Sequence, residues 1–329
     1  KRQLGGSVYA TANSLAIASG RVSFALGVQG PCASIETACS ASLVAGHSAA
    51  RALQHAECGT HLAAGVNLML LRASSVGMAI AGMTSVAGRC HTFDSRADGF
   101  ARGEGCSSVV LRIGNTAYRI VLRGSAVRQD GRSASLTAPN GQAQQGLLRS
   151  ALQTASSHQA HPISLNEAHG TGTALGDPIE AGSLAAAVLA EQRPGGAVVC
   201  GSIKANLGHG ESTAGVSGLL RLALGLANGA APPNAQLHAL NPHVRSATRS
   251  MPNVMPCQLT RGRMVLGAQA MEIGGVSSFG YSGTIAHVVL ALGRCGAQKA
   301  AVSRAFERHP RPLLAYHRRA FAWRDTTAS

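Results

Sequence analysis

Short apolar runs broken by glycine recur along the whole chain, and no other feature narrows its folding choices so far. Glycine supplies 40 of the 329 residues, while 45% of the chain is hydrophobic. With the apolar runs this dense, the glycines signal tight turns and close helix–sheet approach rather than disorder. Helical patterns cover 14–26, 42–53, 143–156, 178–190 and 213–227. Strand-like runs cover 33–38, 62–66, 107–113, 119–127, 197–202, 271–277 and 284–292, and a short strand leads into His169. Loops are expected over 88–105 and 130–140. Strands alternating with helices imply a layered α/β architecture, and the length suffices for one or two packed cores.

The cysteines exclude two roles. Eight are present, and none forms a CxxC pair. That pattern argues against both a zinc site and a disulfide framework and fits a reducing compartment, cytoplasmic or plastid-type. Cys32, Cys58, Cys90, Cys106, Cys200, Cys257 and Cys295 read as buried or idle thiols. No apolar stretch is long and uncharged enough to span a bilayer. The formal net charge of +15 raises nucleic acid as a partner, yet aromatic residues are only 3% and no recognition module interleaves them with the basic ones. Part of the charge is local, since 294–329 carries eight Lys/Arg against two Asp/Glu.

Three segments carry chemistry. Cys39 sits in Glu36-Thr37-Ala38-Cys39-Ser40-Ala41-Ser42, between an expected buried strand over 33–38 and an expected helix over 42–53. It therefore lies on a sharp strand-to-helix turn, the logic of a nucleophile elbow. A helix N-terminus beside the sulfur is expected to favour thiolate. Far downstream lie Glu167-Ala168-His169-Gly170-Thr171-Gly172-Thr173 and Lys204-Ala205-Asn206-Leu207-Gly208-His209. Gly170 and Gly208 are expected to let the backbone at each histidine approach a ligand closely. Isolated histidines such as His47, His55 and His287 read as structural or exposed. Asp177 and Glu180 read as helix-capping and packing groups, with Asp177 an N-cap before Pro178, rather than as an acid–base pair.

In this order the three motifs resemble the Cys-His-His active site of β-ketoacyl synthases, the condensing enzymes of fatty-acid and polyketide synthesis. Further matches lie between and after them. They include Asp98-Gly99-Phe100, Gln129-Asp130-Gly131-Arg132, Leu136-Thr137-Ala138-Pro139-Asn140-Gly141 and Gly275-Val276-Ser277-Ser278-Phe279-Gly280-Tyr281-Ser282-Gly283-Thr284. The Gln-Asp-Gly-Arg and Thr-Ala-Pro-Asn-Gly segments resemble the modular polyketide synthase branch most. Two positions depart from the family: Ala205 replaces a threonine, and Ile285 replaces an asparagine, removing turn-forming hydrogen bonds beside the active-site loop. The nucleophile also comes unusually early, so the first half is expected to lack its opening strands and helices.

The resemblance implies a thiolase-like fold, with two similar halves in α/β/α/β/α layers. Residues 1–117 would be the remainder of the N-terminal half, 118–293 the C-terminal half, and 294–329 a basic, aromatic linker. It implies that Cys39 is acylated, that His169 and His209 stabilise an enolate, and that Lys204 holds His169 and the local field. Backbone N–H groups of Cys39 and Tyr281 would form the oxyanion hole, while Thr171, Thr173 and Phe279 would bind pantetheine. The domain itself would bind no cofactor; phosphopantetheine would arrive on an acidic acyl-carrier protein, bearing malonyl or acyl thioesters, and the domain would be a homodimer. A thiolase would need a second active-site cysteine, and Cys200 and Cys257 lack the surrounding motif. An inactive scaffold or carrier-docking fragment is the alternative from a different class.

Overall fold

The computed structural model describes residues 14–114, 120–156, 163–189, 197–261 and 272–293. The expected linker over 294–329 lies outside them. Two sheets organise the described residues. The first is an antiparallel pair, β1 (Thr60–Asn67) with β2 (Gly105–Arg112). The second has six strands in the order β3 (Ile120–Gln129), β10 (Thr284–Leu292), β9 (Ile273–Phe279), β4 (Leu165–Glu167), β5 (Val198–Gly201) and β7 (Asn253–Val254). Its first two pairings are antiparallel and the rest parallel. Ala230–Ala231 (β6) and Thr260–Arg261 (β8) form a small separate pair.

Period-two alternation supplies two cores from the six-stranded sheet. Along β10, Ala286, Val288 and Leu290 enter one apolar cluster and Val289 the other; in β5, Val199 and Val198 divide the same way. Helices α2 (Ala41–Gln54) and α7 (Ala214–Asn228) fill the first core, packing against the sheet and against the β1–β2 pair. Leu43, Leu222 and Leu226 are at most 1% exposed there, and burying one such side chain is worth about 1.5–3 kcal/mol. Helices α4 (Gly141–Ser156) and α5 (Gly176–Leu189) supply Leu152, Leu184 and Val188 to the second core. The layers are therefore strand pair, buried helices, sheet and outer helices, a thiolase-like arrangement.

The buried helices begin alike. A 3-10 turn over Ala38–Ser40 leads into α2, and one over Glu211–Thr213 leads into α7. The first residue of each has positive φ, +54° at Ala38 and +45° at Glu211, a costly conformation for a side chain with a Cβ. Where the helices meet, Ser42 Oγ accepts from the Val216 N–H at 3.1 Å. A Cβ on Gly215 would lie 2.7 Å from that of Leu43, so glycine is what lets the helices touch.

The expected strand over 33–38 does not form. Residues 31–37 have no regular structure and are mostly exposed, and no described strand runs beside them to satisfy their backbone groups. Cys39 thus follows an unpaired segment rather than a buried strand. Ile285 overturns a second expectation. It is fully buried beside Leu147 and Phe279, and the turn before it is closed by backbone bonds, Gly283 N–H to Gly280 O (2.9 Å) and Gly280 N–H to Thr284 O (2.8 Å). Helices α1 (Leu15–Leu26), α3 (Arg72–Ile80), α6 (Lys204–Leu207) and α8 (Pro242–Ala247) complete the described elements.

Candidate active site

The turn before α2 carries Cys39 to the floor of a cavity of about 500 Å³. Local bonds fix that turn: Glu36 accepts from the Ala38 N–H at 2.8 Å, and Ser40 Oγ donates to Thr37 O at 2.9 Å. Ser278 of β9 donates to the Cys39 carbonyl at 2.6 Å. A Cβ on Gly280 would meet Thr37 O, and 3.2 Å away Ser40 Oγ, so this glycine lets the β9–β10 turn press onto the cysteine loop. The backbone N–H groups of Cys39 and Tyr281 both act to favour negative charge on the cysteine sulfur.

His169 leaves the end of β4. Its N–H and that of Gly170 donate to the two oxygens of Glu180, at 2.7 and 2.8 Å. Asp177 takes the N–H groups of Phe93 (2.8 Å), Gly172 (3.1 Å) and Thr173 (3.4 Å). These carboxylates therefore clamp the histidine loop from α5, which corrects their reading as caps of that helix. Both are fully buried, which pushes Asp177 up to about 6 and Glu180 up to about 7. His209 follows α6 and is pinned to the 101–103 segment, its N–H donating to Ala101 O at 2.7 Å and its carbonyl accepting from Gly103 at 2.8 Å. Gly170 (φ +46°) and Gly208 (φ +81°) do not open space for a ligand: a Cβ at the first would lie 2.7 Å from Ser202 Cβ, and one at the second 3.2 Å from Ala101 O. Turn geometry and protein packing require them.

The three side chains converge. His209 Nε2 lies 3.0 Å from Cys39 Sγ, and the His169 and His209 ring centroids are 5.8 Å apart, edge to face. Phe100 packs edge-on against His209 at 5.0 Å, and Phe279 lies 5.4 Å from His169. The tautomers follow from the backbone. His169 Nδ1 accepts the Phe279 N–H at 3.3 Å, and His209 Nδ1 accepts the Glu211 N–H at 3.1 Å. Burial, reinforced by the charge of Lys204, holds both imidazoles well below their ordinary range, so both are neutral. A neutral imidazole with Nδ1 accepting carries its proton on Nε2. Both rings thus present a donor at Nε2.

Burial also pushes the Cys39 thiol up to about 12, despite the opposing charge of Lys204 and the two backbone donors. The sequence expectation of a helix-stabilised thiolate is therefore reversed by burial. Lys204 is 3% exposed and is not part of the cavity wall. Thr171, Thr173, Phe279 and Tyr281 all line the cavity with Cys39, His169 and His209. Cys200 is buried in β5 and Cys257 exposed, and neither reaches the cavity. Sequence reasoning missed Phe100 and Glu211 as supports for His209. Phe100 stands in a motif quoted above, Asp98-Gly99-Phe100, but only the fold brings it to the ring. Arg102 holds Glu211 by a two-pronged ion pair and also donates to Ser75 of α3 at 2.7 Å.

Comparison with known proteins gives a consistent picture. The family model described as "Beta-ketoacyl synthase, N-terminal domain" matches residues 1–117, and that for the C-terminal domain matches 119–238. One phenolphthiocerol/phthiocerol polyketide synthase protein of Mycobacterium tuberculosis is 44% identical over 294 residues, 85% of this chain and 13% of that protein. Another protein of the same synthase is 42% identical over 287 residues, 85% of this chain and 15% of that protein. Among solved structures, the ketosynthase from module 6 of the bacillaene synthase of Bacillus subtilis 168 is 34% identical, with a TM-score of 0.79. The alignment covers 89% of this chain and 53% of that one. The chain therefore spans about half the length of that ketosynthase and a small part of the mycobacterial synthase proteins.

Proposed function

The chain belongs to the β-ketoacyl synthase family, and from that premise we propose that it forms carbon–carbon bonds in polyketide assembly by decarboxylative Claisen condensation. One observation carries the reading: a thiol 3.0 Å from the Nε2–H of one neutral imidazole, with a second imidazole in the same tautomer beside it. A catalytic base for the thiol would need a bare Nε2. A donor pair suits a reaction that builds negative charge on oxygen.

The reaction divides into three steps. Cys39 Sγ attacks the carbonyl of an acyl thioester, the N–H groups of Cys39 and Tyr281 stabilise the oxyanion, and the carrier thiol leaves with the proton that Cys39 gives up. A malonyl-type thioester then loses carbon dioxide, and its electron pair becomes an enolate whose oxygen is stabilised by His169 and His209. The enolate carbon attacks acyl-Cys39, forming the new bond as the carbon–sulfur bond breaks, and the released sulfur takes a proton from solvent, the one proton the cycle consumes. Each donor placed at a developing oxyanion in a water-excluded site is worth about 100- to 1000-fold in rate. Lys204 acts through the field at the imidazoles, and Thr171, Thr173 and Phe279 hold the pantetheine arm. The arm belongs to an acyl-carrier protein, and the net charge of +15 favours an acidic one. The assembled domain is a homodimer.

Incubating the chain with an acyl thioester and a malonyl thioester tests the proposal. The expected result is acyl-Cys39 by intact mass, followed by a β-ketoacyl product with one carbon dioxide per new bond. Product without carbon dioxide release, or failure of Cys39 to acylate, would contradict it.

A further inference from the structure

The two histidine rings are set by unequal means. His169 Nδ1 takes its N–H from Phe279, the last residue of a regular strand. His209 Nδ1 takes its N–H from Glu211, only two residues on. Glu211 reaches that position with a φ of +45°, which a residue with a Cβ holds only where its surroundings compel it. Glycine adopts this angle freely and would offer the same N–H, so the side chain at 211 needs its own explanation. Its two carboxylate oxygens are gripped by Arg102, one by Nε and the other by Nη2 at 3.1 Å. Arg102 is fixed in turn. Its Nη1 donates to Ser75 Oγ of α3 at 2.7 Å, and its backbone bridges in parallel to His209, flanked by the Ala101 and Gly103 bonds to that residue. The pair lies mostly out of solvent, with the Arg102 side chain 11% and the Glu211 side chain 18% exposed.

We infer that Arg102 is a positioning residue for carbon dioxide loss: by gripping Glu211 it holds the strained backbone whose N–H keeps the His209 proton on Nε2. This rests on the function proposed above and deepens it, since the enolate donor at His209 then depends on a residue that does not line the cavity. The planar guanidinium suits the task, because two parallel bonds fix a carboxylate's direction as a single ammonium cannot. The grip also neutralises a charge. Glu211 lines the cavity with Cys39 and His209, and an unpaired carboxylate there would oppose the enolate. Charge and positioning predict different things. Removing both partners together cancels the charge effect but leaves the Glu211 backbone without its hold.

The test uses Arg102→Met, Glu211→Gln and the double variant, each with isotope-labelled histidine nitrogens read by nuclear magnetic resonance. The His209 signals are assigned by their loss in His209→Ala. In the wild-type chain they should show a protonated Nε2 and a bare Nδ1, and each single variant should move them toward the other tautomer. Carbon dioxide release from a malonyl thioester should fall by about tenfold or more in Arg102→Met, part of the roughly 100- to 1000-fold that a whole donor is worth. Acylation of Cys39, followed by intact mass, should fall far less. Glu211→Gln, which keeps the side-chain shape, carries the test should Arg102→Met fail to fold. The double variant should be no faster than the slower single one. Recovery of carbon dioxide release in the double variant would overturn the inference in favour of charge neutralisation alone. Wild-type His209 signals in both single variants would overturn it too, and either result would leave the proposed function standing. Absence of carbon dioxide release by the wild-type chain would overturn the proposed function itself, and the inference with it.

Discussion

At Cys39 two effects oppose each other, and their sizes decide the resting state. A helix N-terminus beside an anion contributes about 0.3–1 kcal/mol, less than one unit of pKa. Burial raises the thiol from an ordinary 9.0 to about 12, several times that effect. The nucleophile therefore rests as a thiol. Because the folded pKa lies far above neutrality, its thiolate fraction rises tenfold per unit of pH throughout the working range. Cys32 is the reverse case, exposed and held below the usual thiol range by the hydroxyls of Ser19 and Ser23. With limiting iodoacetamide, mass mapping should find Cys32 labelled before Cys39, and labelling of Cys39 should climb from pH 7 to pH 10 without a plateau. A plateau at Cys39 below pH 8 would contradict this balance. Cys39, His169 and His209 were legible in the sequence because each sits in a dense local motif. Glu211 was not, because it matters through a contact with the His209 ring that only the fold creates.

At the scale of elements, the contact between α2 and α7 positions the site, since it sets the two 3-10 turns that carry Cys39 and Glu211. Two glycines in these helices should respond to substitution in opposite directions. Gly46 has open space where a Cβ would go, so Gly46→Ala should stabilise by about 0.5–1 kcal/mol. Gly215 has Leu43 and Ser42 in that space, and Gly215→Ala should cost about 1–3 kcal/mol from overpacking. Thermal melting of the two variants checks the pair, and shifts of the same sign would contradict the packing described. Most elements were readable. The strand over 284–292 matches end for end, and most other runs differ by a residue or two at their ends. Helix α3, which buries none of its residues, was missed. Helix α8 did carry a signal, Asn241 capping at 2.9 Å with Pro242 at the first position, but it is only six residues long. The segment 33–38 failed for a different reason: its apolar pattern fits a strand, yet a strand exists only where a neighbour pairs with it.

Across the whole molecule, the site belongs to neither half alone. Cys39 stands in the segment matched by the N-terminal family model, and His169 and His209 in that matched by the C-terminal one. They meet because α2 and α7 share one buried layer and because the β9–β10 turn presses onto the cysteine loop. This division of the site predicts a division of labour, with sulfur for acyl transfer and paired Nε2–H donors for the enolate. The most direct measurement follows the two half-reactions separately in Cys39→Gln and His209→Ala. Radiolabelled malonyl thioester reports carbon dioxide release, and intact mass reports acylation. Cys39→Gln should lose condensation while keeping or raising carbon dioxide release, since an amide side chain imitates the acyl thioester. His209→Ala should lose about 100- to 1000-fold in carbon dioxide release, the worth of one oxyanion donor, while Cys39 still accepts an acyl group. Equal loss of both half-reactions in both variants would contradict the account.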